Sequence, residues 1–207
     1  MAGEPRRVPQ DVVLVPGLWV PAATMALLAA RLRRAGFAPR TFAYHGRAPL
    51  SLNIERLAEF AGRGAPHFVG QSLGGVLIFD MLNARGDVPA GRVVLLGAPV
   101  RGSLAGRRLA RHAIGRWMLG GSAERWQERE AAWRRSEPLG VVAGTAPLGL
   151  GRLLGRLPGE NDGVVRVEEA ALPGAALALV AQGHSPMAIS SRVAELVARF
   201  LREGRFA

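Results

Sequence analysis

Six short apolar runs, separated by stretches of helical or loop character, constrain the fold of this chain more than any other feature. They are Asp11–Val15, Pro39–Tyr44, Pro66–Val69, Arg92–Leu96, Leu139–Ala143 and Ala175–Ala181. Val12-Val13-Leu14-Val15 and Val93-Val94-Leu95-Leu96 are apolar at every position. A strand with one wet face alternates polar and apolar side chains, so an unbroken run predicts a strand covered on both faces. Between the runs, segments 21–35, 51–62, 73–85 and 186–203 have helical length and patterning. The first stops at Gly36, and the last opens at Ser185-Pro186, as a capped helix should. Strands alternating with helices predict right-handed βαβ crossovers. The expected fold class is α/β, a three-layer α/β/α sandwich around a mostly parallel six-stranded sheet. A length of 207 residues suits a single domain spanning 1–207 with a full-sized core.

One junction in this pattern carries chemistry. Gly70-Gln71-Ser72-Leu73-Gly74, a G-x-S-x-G pentapeptide, stands where the third run stops and an apolar helical stretch begins. A serine on a sharp strand-to-helix turn is held in strained, exposed backbone, with the first N–H groups of the helix nearby. Glycines flank it because side chains there would collide with the neighbouring strand and helix. The competing reading is a glycine-rich βα turn that only packs tightly. The strand before and the helix after favour the chemical one.

In an open parallel sheet, function gathers beyond the carboxyl ends of the strands. His184, in Gly183-His184-Ser185-Pro186, follows the sixth run directly and is the candidate general base. His67 begins a strand and so falls at the opposite edge, while His112 lies in an arginine-rich stretch as a solvated residue. His45, just past the second run, is a candidate substrate contact at the cleft edge. Asp162, in Gly159-Glu160-Asn161-Asp162-Gly163, lies between the fifth and sixth runs. A carboxylate there can accept a hydrogen bond from the imidazole Nδ1–H and fix its tautomer. In isolation Asp162-Gly163 is equally a turn. Glu160 is the fallback acid, Asp80 lies more than two turns into a helix, and Asp11 and Asp87 fall at the wrong strand end.

The order Ser72, Asp162, His184 joins four further motifs: Val15-Pro16-Gly17-Leu18-Trp19, Leu96-Gly97-Ala98-Pro99, Asn161-Asp162-Gly163-Val164-Val165 and Gly183-His184-Ser185. Together they resemble the α/β-hydrolase superfamily, in particular its small bacterial lipase- and esterase-like members. The resemblance runs from about residue 11 to residue 203. It implies a reduced α/β-hydrolase fold and a serine hydrolase that cleaves carboxylic esters through Ser72, His184 and Asp162. It also implies an oxyanion hole built from the N–H groups of Leu73 and Leu18, with Trp19 the substitute donor if the loop is shifted. Where such enzymes usually carry His-Gly this chain has Pro16-Gly17, a modest departure because the donor is a backbone group. Gln71 stands where the superfamily often has His, and is a candidate substrate contact. No cofactor and no metal are implied. Trp19 and the Gly/Leu-rich loop 146–157 are expected to shape an apolar acyl pocket. The fold also hosts thioesterases and acyltransferases on the same triad, and non-catalytic binding proteins, so those alternatives stay open.

The stretch from Val100 to Glu137 is long for one crossover and holds Trp117, Trp126 and Trp133, three of the four tryptophans. Either it forms amphipathic surface helices whose indoles cover the sheet, or it is a cap or lid that helps the site meet a lipid surface. All 27 basic residues are arginine, against 16 acidic ones, for a net charge of +11. They are scattered over most predicted helices, with one denser region at 101–135, and lack the dense patch with aromatic or polar interleaving that nucleic acid requires, so no nucleic-acid partner is expected. The expected partner is a small-molecule ester with an apolar acyl group, with weak lipid-surface contact in addition. No run reaches the roughly 18 apolar residues of a membrane span. The first ten residues are a polar lead-in without an apolar leader, so the expected location is cytoplasmic. The absence of cysteine excludes disulfides and thiol nucleophiles.

Overall fold

The computed structural model describes residues 10–20, 22–147 and 155–207. Six strands form one sheet: β1 (Gln10–Val15), β2 (Phe37–Thr41), β3 (His67–Gln71), β4 (Val93–Leu96), β5 (Leu139–Gly144) and β6 (Ala176–Val180). Their order is β2-β1-β3-β4-β5-β6 and every neighbouring pair is parallel. The chain therefore moves outward from β1 to the edge at β2, returns past β1 to β3, and then proceeds the other way. That reversal opens a crevice beyond the carboxyl ends of β1 and β3.

Helices cover both faces. On one side lie α1 (Ala26–Arg34) and α7 (Ser191–Glu203), packed on Val12, Leu14, Val69, Val94 and Leu96. On the other lie α2 (Leu50–Ala61) and α3 (Leu73–Ala84), packed on Val13, Val15, Phe68, Val93 and Leu95. All ten of these strand residues are fully buried, which is the physical reason the runs contain no polar position. At about 25 cal/mol per Å² of apolar surface removed from water, each such side chain stabilises the fold by roughly 1.5–3 kcal/mol.

Differences from the sequence expectation have local causes. β2 begins at Phe37 and ends at Thr41 instead of spanning Pro39–Tyr44. Pro39 sits inside it because β2 is an edge strand, where a missing N–H need not interrupt a ladder. The helices expected at 21–35 and 186–203 are each split: a 3₁₀ turn (Ala22–Met25, Pro186–Ile189) precedes α1 and α7. Residue 21 lies outside the described residues. The stretch from Val100 to Glu137 holds two short helices, α4 (Leu104–Ala110) and α5 (Ala113–Leu119), and a 3₁₀ segment, Gly120–Trp126. Its tryptophans divide. Trp126 and Trp133 pack on the core, Trp133 lying 5.8 Å from the Phe79 ring centroid, whereas Trp117 is exposed. One turn, α6 (Val167–Ala170), has no counterpart in the sequence expectation. It is held by Glu169, whose carboxylate accepts from Arg166 N at 2.8 Å and from Leu104 N at 2.5 Å. Among the described residues no helix is long and apolar enough to cross a membrane.

Candidate active site

β3 ends at Gln71 and α3 begins at Leu73, leaving Ser72 to make the turn alone, with φ +51° and ψ −124°. Such backbone costs a non-glycine residue about 1–3 kcal/mol and persists only where its surroundings over-determine it. The surroundings here are tight. A Cβ on Gly74 would lie 2.3 Å from the Pro16 carbonyl oxygen, and one on Gly70 would lie 2.6 Å from Gly75 Cα. Ser72 N–H donates to Leu96 O at 2.9 Å, and Ser72 O accepts from Gly75 N and Val76 N, so the helix starts at once.

Two backbone donors stand at this turn. Leu73 N–H opens α3, and Leu18 N–H lies on the loop after β1; neither has a hydrogen-bond acceptor among the described residues. That loop is held from outside. Tyr44 Oη donates to Pro16 O at 3.0 Å, and burial pushes the phenol pKa well above its usual range. Trp19 Nε1 donates to Met118 O at 3.1 Å. Nothing in the sequence singles out Tyr44 beyond its being the chain's one tyrosine, at the end of the second run.

On the far side of the crevice, the loops after β5 and β6 meet. Asp162 is 1% exposed, and its carboxylate accepts three hydrogen bonds: Val164 N at 2.9 Å, Val165 N at 2.7 Å and His184 Nδ1 at 2.7 Å. His184 N also donates to Asp162 O at 2.9 Å, fixing loop to loop. With Nδ1 donating to a carboxylate, the neutral imidazole carries its lone pair on Nε2. Gly97, at φ +51°, lets the chain after β4 pass beside this pair: a Cβ there would lie 3.0 Å from Asp162 Oδ2 and 3.2 Å from His184 Nδ1.

Ser72 and His184 line one cavity of about 370 Å³, walled by Ala105, Leu109, Leu119, Trp126, Val164 and Val165. No hydrogen bond joins Ser72 Oγ to the imidazole in this structure; in ligand-free sites such contacts are often long and tighten on substrate binding. Leu18, Trp19 and Gln71 line the same cavity. Gln71 is 2% exposed, and its Nε2 donates to His184 O at 3.2 Å, tying the histidine loop to β3. His45 is placed elsewhere, in an adjoining groove that shares Gly17, Trp19 and Val20 with the cavity. Of loop 146–157, residues 148–154 lie outside the described residues, and none of its others lines the cavity. A larger groove of about 600 Å³ between α1 and α7 is lined by arginines and glutamates and contains none of these residues.

The remaining polar candidates have other partners or none of the geometry. His67 lies at the opposite strand end, accepting from Arg92 N at 2.8 Å through Nδ1, with Nε2 3.1 Å from Gln10 Oε1. Asp80 is ion-paired with Arg125 at 2.6 Å and Arg129 at 3.0 Å. Asp87 pairs with Arg85, and Asp11, His112 and Glu160 are exposed.

The sequence matches no protein-family profile and no curated protein. Among solved structures, the fold is similar to Bacillus licheniformis lipase BlEst2 in mature form. The two share 18% identity and a TM-score of 0.73 over 97% of this chain and 94% of that one. It is also similar to a thermophilic esterase from Thermogutta terrifontis, at 18% identity and TM-score 0.68 over 95% and 91% of the two chains. A bromoperoxidase from Bacillus anthracis superposes at 13% identity and TM-score 0.70 over 94% and 92%. The chain has the α/β-hydrolase fold.

Proposed function

We propose that the protein is a serine hydrolase that cleaves carboxylic esters through an acyl-enzyme. The reading is carried by one observation: a buried His184–Asp162 hydrogen bond of 2.7 Å beside the cavity that also contains Ser72. His184 Nε2 takes the proton from Ser72 Oγ as that oxygen attacks the ester carbonyl carbon. Asp162 stabilises the imidazolium so formed. The tetrahedral oxyanion accepts hydrogen bonds from Leu73 N–H and Leu18 N–H, each donor lowering the barrier by about 3 kcal/mol. The C–O bond to the leaving alcohol then breaks, and the alcohol takes its proton from His184. A water deprotonated by His184 attacks the acyl carbon, and Ser72 Oγ departs with that proton. The cycle closes with water as the only co-reactant.

The cavity lies near the small end of ligand clefts, which span about 300–1,000 Å³, and its walls are apolar. A neutral ester with a short to medium apolar acyl group fits it. Trp19 forms part of the rim. Gln71 acts by holding the His184 loop, and His45, in the adjoining groove beyond Trp19, is assigned as a contact for a longer ester. A binding module without chemistry would have no use for the strained Ser72 backbone. The test is turnover of p-nitrophenyl butyrate by wild type and Ser72→Ala. A loss of at least about 10³-fold is expected, and wild-type turnover by the variant would overturn the reading.

A further inference from the structure

The two most exposed large apolar side chains among the described residues lie one turn apart on α5: Ile114 at 74% and Trp117 at 62%. At positions i and i+3 they share one helix face. Trp19, 55% exposed, is tied to the same helix by its indole N–H bond to Met118 O. Of this cluster Trp19 lines the Ser72 cavity, as does Leu119 of the same helix; Ile114 and Trp117 do not.

Single exposed apolar side chains are ordinary on a protein surface. What sets this cluster apart is the charge around it. From Leu104 to Leu119, through α4 and α5, the chain has four arginines and no acidic residue, and of the four Arg107 pairs with Glu128. Arg111 and Arg116 are exposed at either end of the Ile114 turn, and Arg116 Nη1 donates to Ala110 O and Arg111 O, which holds its guanidinium at the helix rim. The Arg47 guanidinium lies 4.1 Å from the Trp117 ring centroid. Apolar tips flanked by arginines match the layering of a lipid headgroup region.

We propose that α5 and Trp19 dock this protein onto an anionic lipid bilayer. Ile114 and Trp117 enter the acyl boundary, Arg47, Arg111 and Arg116 meet the lipid phosphates, and the cavity opens toward the lipid. Charge argues against a second copy as the occupant, because Arg111 and Arg116 of each copy would face those of the other. Ile114, an aliphatic side chain with nothing to offer a base edge or a phosphate, argues against nucleic acid. The inference does not rest on ester hydrolysis, since binding is read without turnover.

The experiment is co-sedimentation of the full chain with phosphatidylglycerol vesicles and with phosphatidylcholine vesicles, at low and high salt. Wild type is expected to bind the anionic vesicles and release in salt, and to bind the neutral ones at least about tenfold more weakly. Ile114→Ser combined with Trp117→Ser, and separately Arg111→Glu, should each cut anionic binding severalfold. Arg111→Glu alters one exposed side chain, so it decides the matter even if the double variant is misfolded. The proposal is overturned if wild type binds neither vesicle, if it binds both equally, or if Arg111→Glu binds as wild type does. It is equally overturned if the chain self-associates through Trp117 in light scattering and leaves vesicles alone.

Discussion

At the residue scale, the arrangement turns on two side chains doing different jobs around one imidazole. Asp162 accepts from the imidazole Nδ1 at 2.7 Å and is itself satisfied by two backbone N–H groups. Gln71 holds the same loop by its main chain, through a bond of 3.2 Å to His184 O. Asp162→Asn should preserve the fold and lower kcat by about 10²–10⁴-fold with little change in KM, because the amide favours the wrong tautomer. Steady-state kinetics on a short p-nitrophenyl ester measures this. Ser72 was legible in the sequence because a glycine-flanked serine between a strand and a helix leaves a local mark. Asp162 and His184 are 22 positions apart, and only the order of the loops suggested that they meet. The positions of Gln71 and His45 were not legible, since which way a side chain turns at a cleft edge depends on packing that no spacing encodes. Tyr44 left no pattern at all, because its role is one hydroxyl bond to a carbonyl 28 residues away.

At the element scale, two contacts hold the frame around the site. Arg125 makes paired hydrogen bonds to Asp80 of α3, at 2.6 and 3.0 Å, and a third to Val100 O. It thereby fixes the segment that brings Trp126 into the cavity wall. Asp80→Ala would leave a guanidinium that is 5% exposed with one carbonyl for a partner, and should cost about 3–5 kcal/mol in urea unfolding. Asp80→Asn, which keeps an acceptor, should cost less. The second contact is His67, which joins β3 to the residue before β4 through Arg92 N. Burial, and then the Arg92 charge, hold its pKa below the ordinary 6.5. The unfolded chain therefore binds a proton at pH values where the folded one refuses it. This contribution to stability is full above about pH 6.5 and is lost as pH falls from there toward the lowered folded-state pKa. Denaturant unfolding at a series of pH values should show a steeper decline below pH 6.5 in wild type than in His67→Gln. The strands were legible because burial on both faces erases alternation. The split of the last helix and the break between α4 and α5 were not, because short turns within apolar sequence carry no periodic signal.

At the scale of the whole molecule, the reversal of strand order between β1 and β3 puts the crevice where the pentapeptide falls, and the stretch from Val100 to Trp126 closes one side of it with apolar walls. On the proposed reading, a cavity of about 370 Å³ suits a short to medium acyl group. Turnover of p-nitrophenyl esters should rise from acetyl to a short or medium chain and fall for long ones, with kcat/KM as the readout. The acid-free stretch of α4 and α5 is legible in the sequence, whereas the exposure of Ile114 and Trp117 within it is not, because which face of a seven-residue helix is left uncovered depends on packing.

The most direct test of the chemistry is reaction with a fluorophosphonate followed by mass mapping of the adduct. Wild type should gain one phosphonyl group, on the peptide that carries Ser72, and Ser72→Ala should gain none. A wild-type protein that stays unmodified, or a variant modified to the same extent, would contradict a nucleophilic Ser72.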